Sequence, residues 1–178
     1  VDVMGYACLV AIMSMGRGYH CVSEVNLHQE TVANNFPTPI VTSAGALING
    51  LKVLGAKQIS IITPYMRPLT DKVVDYIEHQ GIKVKESIAL EIPDNLEVAA
   101  QNPLNLLEIY KQLDLTDVDV LVASACVQMP SLEAIDLIQA ECGIPVTSAA
   151  VCTTYEMMKK LGIEAKSTIG GELLNGKY

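Results

Sequence analysis

Two of the five cysteines occupy matching positions in the sequence. Cys8 and Cys126 each follow an apolar run that opens with Val-Asp-Val, at Val1 and at Val118, and each comes directly after an alanine. Residues just beyond the carboxyl ends of parallel strands line the edge of the sheet where ligands bind. A thiol held there can attack carbon or transfer a proton. Two thiols facing one cleft therefore predict covalent or acid–base chemistry on a small substrate.

The other three cysteines do not share this placement. A free cysteine is most often a small residue of the hydrophobic core, and this is the interpretation we give to Cys21, Cys142 and Cys152. The odd count of cysteines and the lack of any CxxC pair predict reduced thiols in a cytoplasmic protein. The three histidines are isolated along the chain, so we expect no metal site.

Short β-branched runs alternate with longer amphipathic stretches, which is the pattern of βα units around a parallel sheet. We predict strands over 1–7, 39–43, 58–63, 82–90, 118–123 and 145–149, and we expect the first of them to be buried. We predict helices over 24–34, 44–54, 69–80, 104–113, 131–142 and 154–161. The tail 162–178 is rich in glycine and is expected to wrap the surface.

Four features recur in the same order in the two halves of the chain. After each Val-Asp-Val run and Ala-Cys pair comes a strand carrying Thr-Ser-Ala, at Thr42 and at Thr147, and then a helix that ends in Leu-Gly. The repeat predicts two similar Rossmann-like α/β lobes with parallel sheets, related by a pseudo-two-fold axis. We assign residues 1–43 and 150–178 to the first lobe and 44–149 to the second, with a ligand between them.

The composition narrows the classes of function. Hydrophobic residues make up 50% of the 178 residues and charged residues 18%, so a packed core is available. The net charge of −8 argues against a nucleic-acid surface, which needs clustered Lys and Arg. No apolar run approaches the roughly 20 residues that span a bilayer. We therefore expect a folded protein that binds neither nucleic acid nor membrane.

Beyond these patterns, the two cysteine segments resemble a known family. Residues 5–10 (Gly-Tyr-Ala-Cys-Leu-Val) and 124–129 (Ser-Ala-Cys-Val-Gln-Met) are similar to the cysteine motifs of the maleate cis–trans isomerases, in the aspartate/glutamate racemase superfamily. Residues 42–46, 64–66 and 92–96 also match in order and spacing. The resemblance covers essentially the whole chain. Arylmalonate decarboxylases of the same superfamily keep only one of the two thiols.

The resemblance implies isomerisation of maleate to fumarate without a cofactor. Cys8 would add to an alkene carbon as the nucleophile, and Cys126 would act as general acid and base at the neighbouring carbon. The remaining site residues would bind the dicarboxylate, with side-chain donors from Tyr65 and Asn95 and backbone contacts from Leu9, Val10 and Val127. We also expect a homodimer, formed through an exposed apolar helix or the C-terminal tail.

Tyr65 and Asn95 also have interpretations in which they do not bind a substrate. Tyr65 follows a predicted strand and is also compatible with a tyrosine on a surface loop. Asn95 is also compatible with the N-cap of a helix, with Asp94 beside it capping or solvated.

Two other functions stay open at this point. A two-cysteine amino-acid or hydantoin racemase would use facing thiols to move a proton at Cα, without a bond to carbon. A non-catalytic module that binds small acids is the alternative of a different class, since fold alone does not fix function. Family members also begin earlier, with a βαβα stretch carrying a Ser-Asn-rich motif that has no counterpart here. We therefore expect the first lobe to be truncated at its N-terminus.

Overall fold

The computed structural model describes residues 1–178 and contains two parallel sheets. The strands are β1 (Met4–Tyr6), β2 (Ile40–Thr42), β3 (Gln58–Thr63), β4 (Lys83–Ala89), β5 (Val120–Ser124) and β6 (Val146–Ser148). β1 pairs with β2, and the other four form a sheet in the order β4-β3-β5-β6. The predicted α/β class with parallel sheets is confirmed.

Eight α-helices connect and flank these strands. They are α1 (Leu9–Met13), α2 (Tyr19–Ala33), α3 (Ser43–Val53), α4 (Arg67–His79), α5 (Asn95–Ala99), α6 (Leu106–Ile109), α7 (Leu132–Cys142) and α8 (Ala149–Lys160). No helix combines the length and the apolar character required to cross a membrane.

The four-stranded sheet forms the centre of the hydrophobic core. All five residues of β5 are buried, and so are five of the six residues of β3. Near-continuous apolar runs of this kind are typical of parallel strands covered on both faces. The carboxyl ends of β3 and β5 are consequently fixed, and the segments that follow them start from a rigid edge.

β1 differs from the prediction. We expected a buried strand over residues 1–7, but the strand covers only Met4–Tyr6 and all three of its residues are exposed. Its ladder runs only to β2, so one edge and much of its surface face solvent. An apolar run alone does not distinguish such an edge strand from a central one.

Helices α1, α5, α6 and α8 also depart from the sequence pattern. α1 and α5 were not predicted, since each has only five residues and shows no amphipathic period. The helix expected over 104–113 is a short α-helix, α6, between two 3₁₀ turns. α8 begins at Ala149 instead of residue 154, because the Ser148 hydroxyl accepts a hydrogen bond from the Val151 amide and caps the helix.

The repeated Thr-Ser-Ala segments both start a helix, and these two helices pack together. Thr42 caps α3 by accepting from the Gly45 amide, as Ser148 caps α8. A Cβ at Gly50 of α3 would lie 2.6 Å from the sulfur of Cys152 on α8, so the close approach of the helices requires glycine there. The division into two symmetric lobes, 1–43 with 150–178 and 44–149, stays a prediction.

The tail after α8 lies against the second sheet, as a surface-wrapping segment is expected to. Asp136 of α7 accepts hydrogen bonds from the amides of Gly170 and Gly171, and the side chains of Leu173 and Leu174 are buried.

Candidate active site

Cys8 lies where β1 passes into α1. It is the N-cap residue of the helix, its backbone is extended, and its side chain is exposed. The next residue, Leu9, is 1% exposed and anchors the turn in the core, while Val10 is half-buried. The first amides of a helix have no partner within it. Those of Leu9 and Val10 make no hydrogen bond elsewhere in the chain, so they remain free to donate beside the thiol.

Cys126 lies two residues beyond β5 and is 9% exposed. Its amide donates to the hydroxyl of Ser124 at 3.3 Å, and its carbonyl accepts from the same hydroxyl at 2.9 Å. The following amide, that of Val127, makes no hydrogen bond within the chain. The segment thus holds the thiol at the end of a buried strand and presents one free amide next to it.

Tyr65 lies near the Cys126 segment and within electrostatic range of Cys8. It follows β3, packs partly buried against the core, and donates a hydrogen bond from its hydroxyl to the carbonyl of Ala125 at 3.2 Å. Burial raises the pKa of the Tyr65 hydroxyl, and the nearby thiols of Cys126 and then Cys8 raise it further. The structure therefore places Tyr65 against the Cys126 segment and close enough to Cys8 to feel its charge, and the tyrosine stays neutral at physiological pH. Tyr65 lies in the loop between β3 and α4, as both interpretations expect, and its role in binding stays a prediction.

Asn95 lies at the border of the same site. It is the exposed first residue of α5, and its backbone carbonyl accepts a hydrogen bond from the side-chain amide of Gln128 at 2.7 Å. This contact ties the start of α5 to the Cys126 segment. Asp94 is the N-cap, accepting from the amides of Leu96 and Glu97, as predicted for it. The alternative that Asn95 caps the helix is wrong, and its side chain makes no hydrogen bond within the chain.

The remaining cysteines have different environments. Cys152 is fully buried, and burial raises the pKa of its thiol to about 12, so it is an inert core residue as predicted. Cys142 is half-buried at the end of α7. The core prediction is wrong for Cys21, which is exposed because α2 buries only two of its fifteen residues. No group of three or more histidine, cysteine, aspartate or glutamate side chains is placed to hold a metal ion.

A cavity of about 470 Å³ adjoins the site through Val127, but neither Cys8 nor Cys126 lines it. It lies between the starts of α7 and α8 and the tail, and most of its lining is apolar. The size of this cavity therefore does not identify it as the place where the two cysteines would act.

Ser124 and Gln128 belong to the cysteine motif 124–129, and each makes a contact that the motif alone does not predict. Ser124 holds the backbone of Cys126, and Gln128 holds that of Asn95. Their position beside Cys126 was the only signal in the sequence, because neither contact follows from composition or periodicity.

Comparison of the sequence with known proteins identifies the family of this chain. Residues 5–174 match the family described as arylmalonate decarboxylase. The chain is 53% identical over 177 residues to the maleate isomerase of Geobacillus stearothermophilus, covering 99% of this chain and 70% of that protein.

Solved structures of maleate isomerases have the same fold as this chain. A cysteine-to-alanine variant of the maleate isomerase Iso from Pseudomonas putida S16, solved with maleate, superposes with a TM-score of 0.99 at 56% identity, covering 100% of this chain and 71% of that one. The maleate cis–trans isomerase of Nocardia farcinica, a cysteine-to-serine mutant with a covalently bound succinylcysteine intermediate, gives 0.95 at 38% identity, covering 99% and 72%. The chain therefore belongs to the maleate isomerases of the arylmalonate decarboxylase family.

Proposed function

We propose that this protein isomerises maleate to fumarate through a covalent adduct on Cys8, with Cys126 as general acid and base. The observation that carries the proposal is that the Tyr65 hydroxyl is hydrogen-bonded to Ala125, next to Cys126, and lies near enough to Cys8 for that thiol also to raise its pKa. The succinylcysteine held by the Nocardia farcinica relative is the product expected when a cysteine adds to maleate.

The reaction needs a covalent intermediate because the energy barrier to rotation about an intact carbon–carbon double bond is prohibitive. The Cys8 thiolate forms a C–S bond to one alkene carbon as the π bond breaks, and the electron pair on the neighbouring carbon takes the proton of the Cys126 thiol. The carbon–carbon bond is then single and rotates. The Cys126 thiolate removes a proton from that carbon, the double bond forms again in the trans geometry, and the Cys8 thiolate leaves. No co-reactant is required for the balance.

Neutral donors are available to bind the two carboxylates. The amides of Leu9 and Val10 lie beside Cys8, and the amide of Val127 lies beside Cys126. The free Asn95 side chain supplies a further donor at the border of the site, and the Tyr65 hydroxyl becomes one when its proton turns from the Ala125 carbonyl to the substrate. A hydrogen bond to a charged group is worth about 1.5–3 kcal/mol, so a set of such donors can hold a dianion without a cationic clamp.

Proton NMR on the protein incubated separately with maleate and with L-aspartate tests the proposal. We expect fumarate from maleate and unchanged optical activity of aspartate. Loss of optical activity without fumarate would identify the racemase instead. Affinity for maleate with no product in either reaction would identify a binding module.

We further propose that two copies of the chain associate through α2. Val22, Val25 and Val32 are each about half exposed or more, and their spacing of three and seven residues places them on one face of the helix. Light scattering after size exclusion should give a dimer for the wild type and a monomer for Val25→Glu. A monomeric wild type would contradict this proposal.

A cytoplasmic location also remains a prediction. All five cysteines are unpaired, and reduced thiols persist in the cytosol. Fractionation of cells producing the protein tests it, and recovery outside the cytosolic fraction would contradict it.

A further inference from the structure

We propose that Ser124 is a positioning residue that aims the Cys126 thiol for proton transfer, an inference that rests on the proposed function. A hydroxyl can donate one hydrogen bond while accepting another. The Ser124 hydroxyl does both with one residue, donating to the carbonyl of Cys126 at 2.9 Å and accepting from its amide at 3.3 Å. The backbone of Cys126 is thus held at both of its polar groups by a single side chain.

The hydroxyl is itself fixed. Ser124 is 0% exposed, ends β5, and pairs with Ser148 of β6 after a shift in the register of the ladder. Between Ser124 and Cys126, the amide of Ala125 donates to the carbonyl of Ile62 at 2.9 Å, and its carbonyl accepts from Tyr65. The direction of the Cys126 side chain is therefore set from the rigid edge of the sheet through Ser124.

This placement has a consequence for the reaction. With its own amide occupied, Cys126 leaves Val127 as the first free backbone donor beside the thiol. Removing the Ser124 hydroxyl frees the Cys126 backbone and lets the sulfur move relative to the carbon that it must protonate and deprotonate. A displacement of about 1 Å can cost 10²-fold in rate.

The two halves of the reaction should respond differently. Solvent can supply a proton to the intermediate, but removal of the proton from carbon needs a base held against it. A displaced Cys126 should therefore slow the breakdown of the Cys8 adduct more than its formation, and the adduct should accumulate. A serine that only stabilised the fold would not change the fraction of enzyme carrying the adduct.

The neighbouring strand supplies a matched control. Ser60 of β3 is also 0% exposed, yet its hydroxyl has no hydrogen-bond partner. Ser60→Ala removes a buried hydroxyl from the same sheet without touching either thiol segment. Ser124→Thr keeps the hydroxyl and serves as the conservative variant.

The experiment measures maleate turnover together with the intact mass of acid-quenched protein, followed by peptide mapping. For Ser124→Ala we expect kcat to fall about 10- to 100-fold, the fraction of Cys8 adduct to rise, and KM to fall with kcat because slower breakdown of a covalent intermediate lowers both. Ser60→Ala should match the wild type in both, and Ser124→Thr should recover most of the rate.

Ser124→Ala that behaves like Ser60→Ala, or that loses rate with no rise in adduct, would overturn the inference. If Ser124→Ala shows no cooperative melting, Ser124→Cys, which keeps the size and weakens the hydrogen bonds, replaces it with the same expectations. Failure of the wild type to convert maleate would instead reject the proposed function, so the two failures are distinguishable.

Discussion

The two segments that carry the paired cysteines are built in opposite ways. Cys8 follows an exposed strand of a two-stranded sheet and starts a helix of only five residues. Cys126 follows a fully buried strand of the four-stranded sheet, and Ser124 holds its backbone at both polar groups. The repeat in the sequence predicts similarity, and the structure shows two different settings for the same side chain.

This difference fits the two roles that we propose. A nucleophile must reach the substrate carbon, form a bond and leave again, and the exposed Cys8 has room to do so. A group that transfers protons must stay within hydrogen-bond reach of one carbon through both steps, which favours the buried and held Cys126. Tyr65 lies near both settings, since its hydroxyl is hydrogen-bonded to Ala125 beside Cys126 and both thiols raise its pKa.

Loss of the nucleophile should have the largest effect. Cys8→Ala removes the only atom that bonds to substrate, so we expect kcat to fall by at least about 10⁴-fold. Cys126→Ala removes the proton-transfer group and should cost about 10²–10⁴-fold, the usual range for general acid–base catalysis. Maleate turnover by proton NMR checks both, with Cys152→Ala as the thiol control. Equal turnover by Cys8→Ala and the control would contradict the roles assigned here.

Removal of the shared hydroxyl should have a smaller effect. Tyr65→Phe keeps the ring and its packing but removes a donor near both thiols, so we expect kcat/KM to fall about 10- to 100-fold, the value of a hydrogen bond to a charged group. Because burial and the thiols raise the pKa of Tyr65, the hydroxyl stays protonated through neutral pH, and the size of the loss should not depend on pH between 6 and 9. A loss confined to high pH would show that Tyr65 acts by ionising.

Alkylation should distinguish the two settings directly. Cys8 is exposed and Cys126 is 9% exposed, so iodoacetamide should label Cys8 several-fold faster. Cys21 is also exposed and should be labelled, whereas Cys152 should not. Peptide mapping over time measures each rate. Faster labelling of Cys126 than of Cys8 would reverse the comparison.

The smallest expected effect is on stability and concerns a contact between α2 and α4. The amide of His20 on α2 donates to the Tyr76 hydroxyl on α4 at 3.0 Å, and the imidazole also contacts that hydroxyl. Burial lowers the pKa of the His20 imidazole. The negative charge of Glu24 opposes this shift, and the positive charge of Lys52 adds to it. The folded state therefore prefers the neutral ring, and this contribution to stability is present above the ordinary pKa and is lost as pH falls through it.

His20→Gln removes the titration and keeps a polar side chain. We expect the melting temperature of the wild type to fall more steeply than that of the variant between about pH 7 and pH 5. Parallel curves would show that His20 does not contribute to the pH dependence of stability.

Long, periodic or strongly apolar segments were predictable from the sequence. The strand over 58–63 has the predicted limits, and α7 ends at Gly143, which takes the left-handed conformation expected of a helix-ending glycine. The exposure of β1 was not predictable, because an apolar run does not tell how many strands pair with it. α1 was missed because Leu9–Met13 is apolar throughout and only five residues long.

The site was predictable in its residues and less so in its internal contacts. Cys8 and Cys126 were singled out by the repeat, and Tyr65 and Asn95 by resemblance. The part played by Ser124 depends on how the backbone turns after β5, which no period or composition records. The same holds for the contact between Gln128 and the Asn95 carbonyl, whose partners are 33 residues apart.

The central claim is that one thiol bonds to carbon while the other moves the proton. Its most direct test is the intact mass of Cys126→Ser after incubation with maleate, with peptide mapping of the modified residue. We expect a mass increase equal to one maleate, located on Cys8 and absent from Cys8→Ala under the same conditions. An unmodified protein, or an adduct on any other cysteine, would contradict the claim.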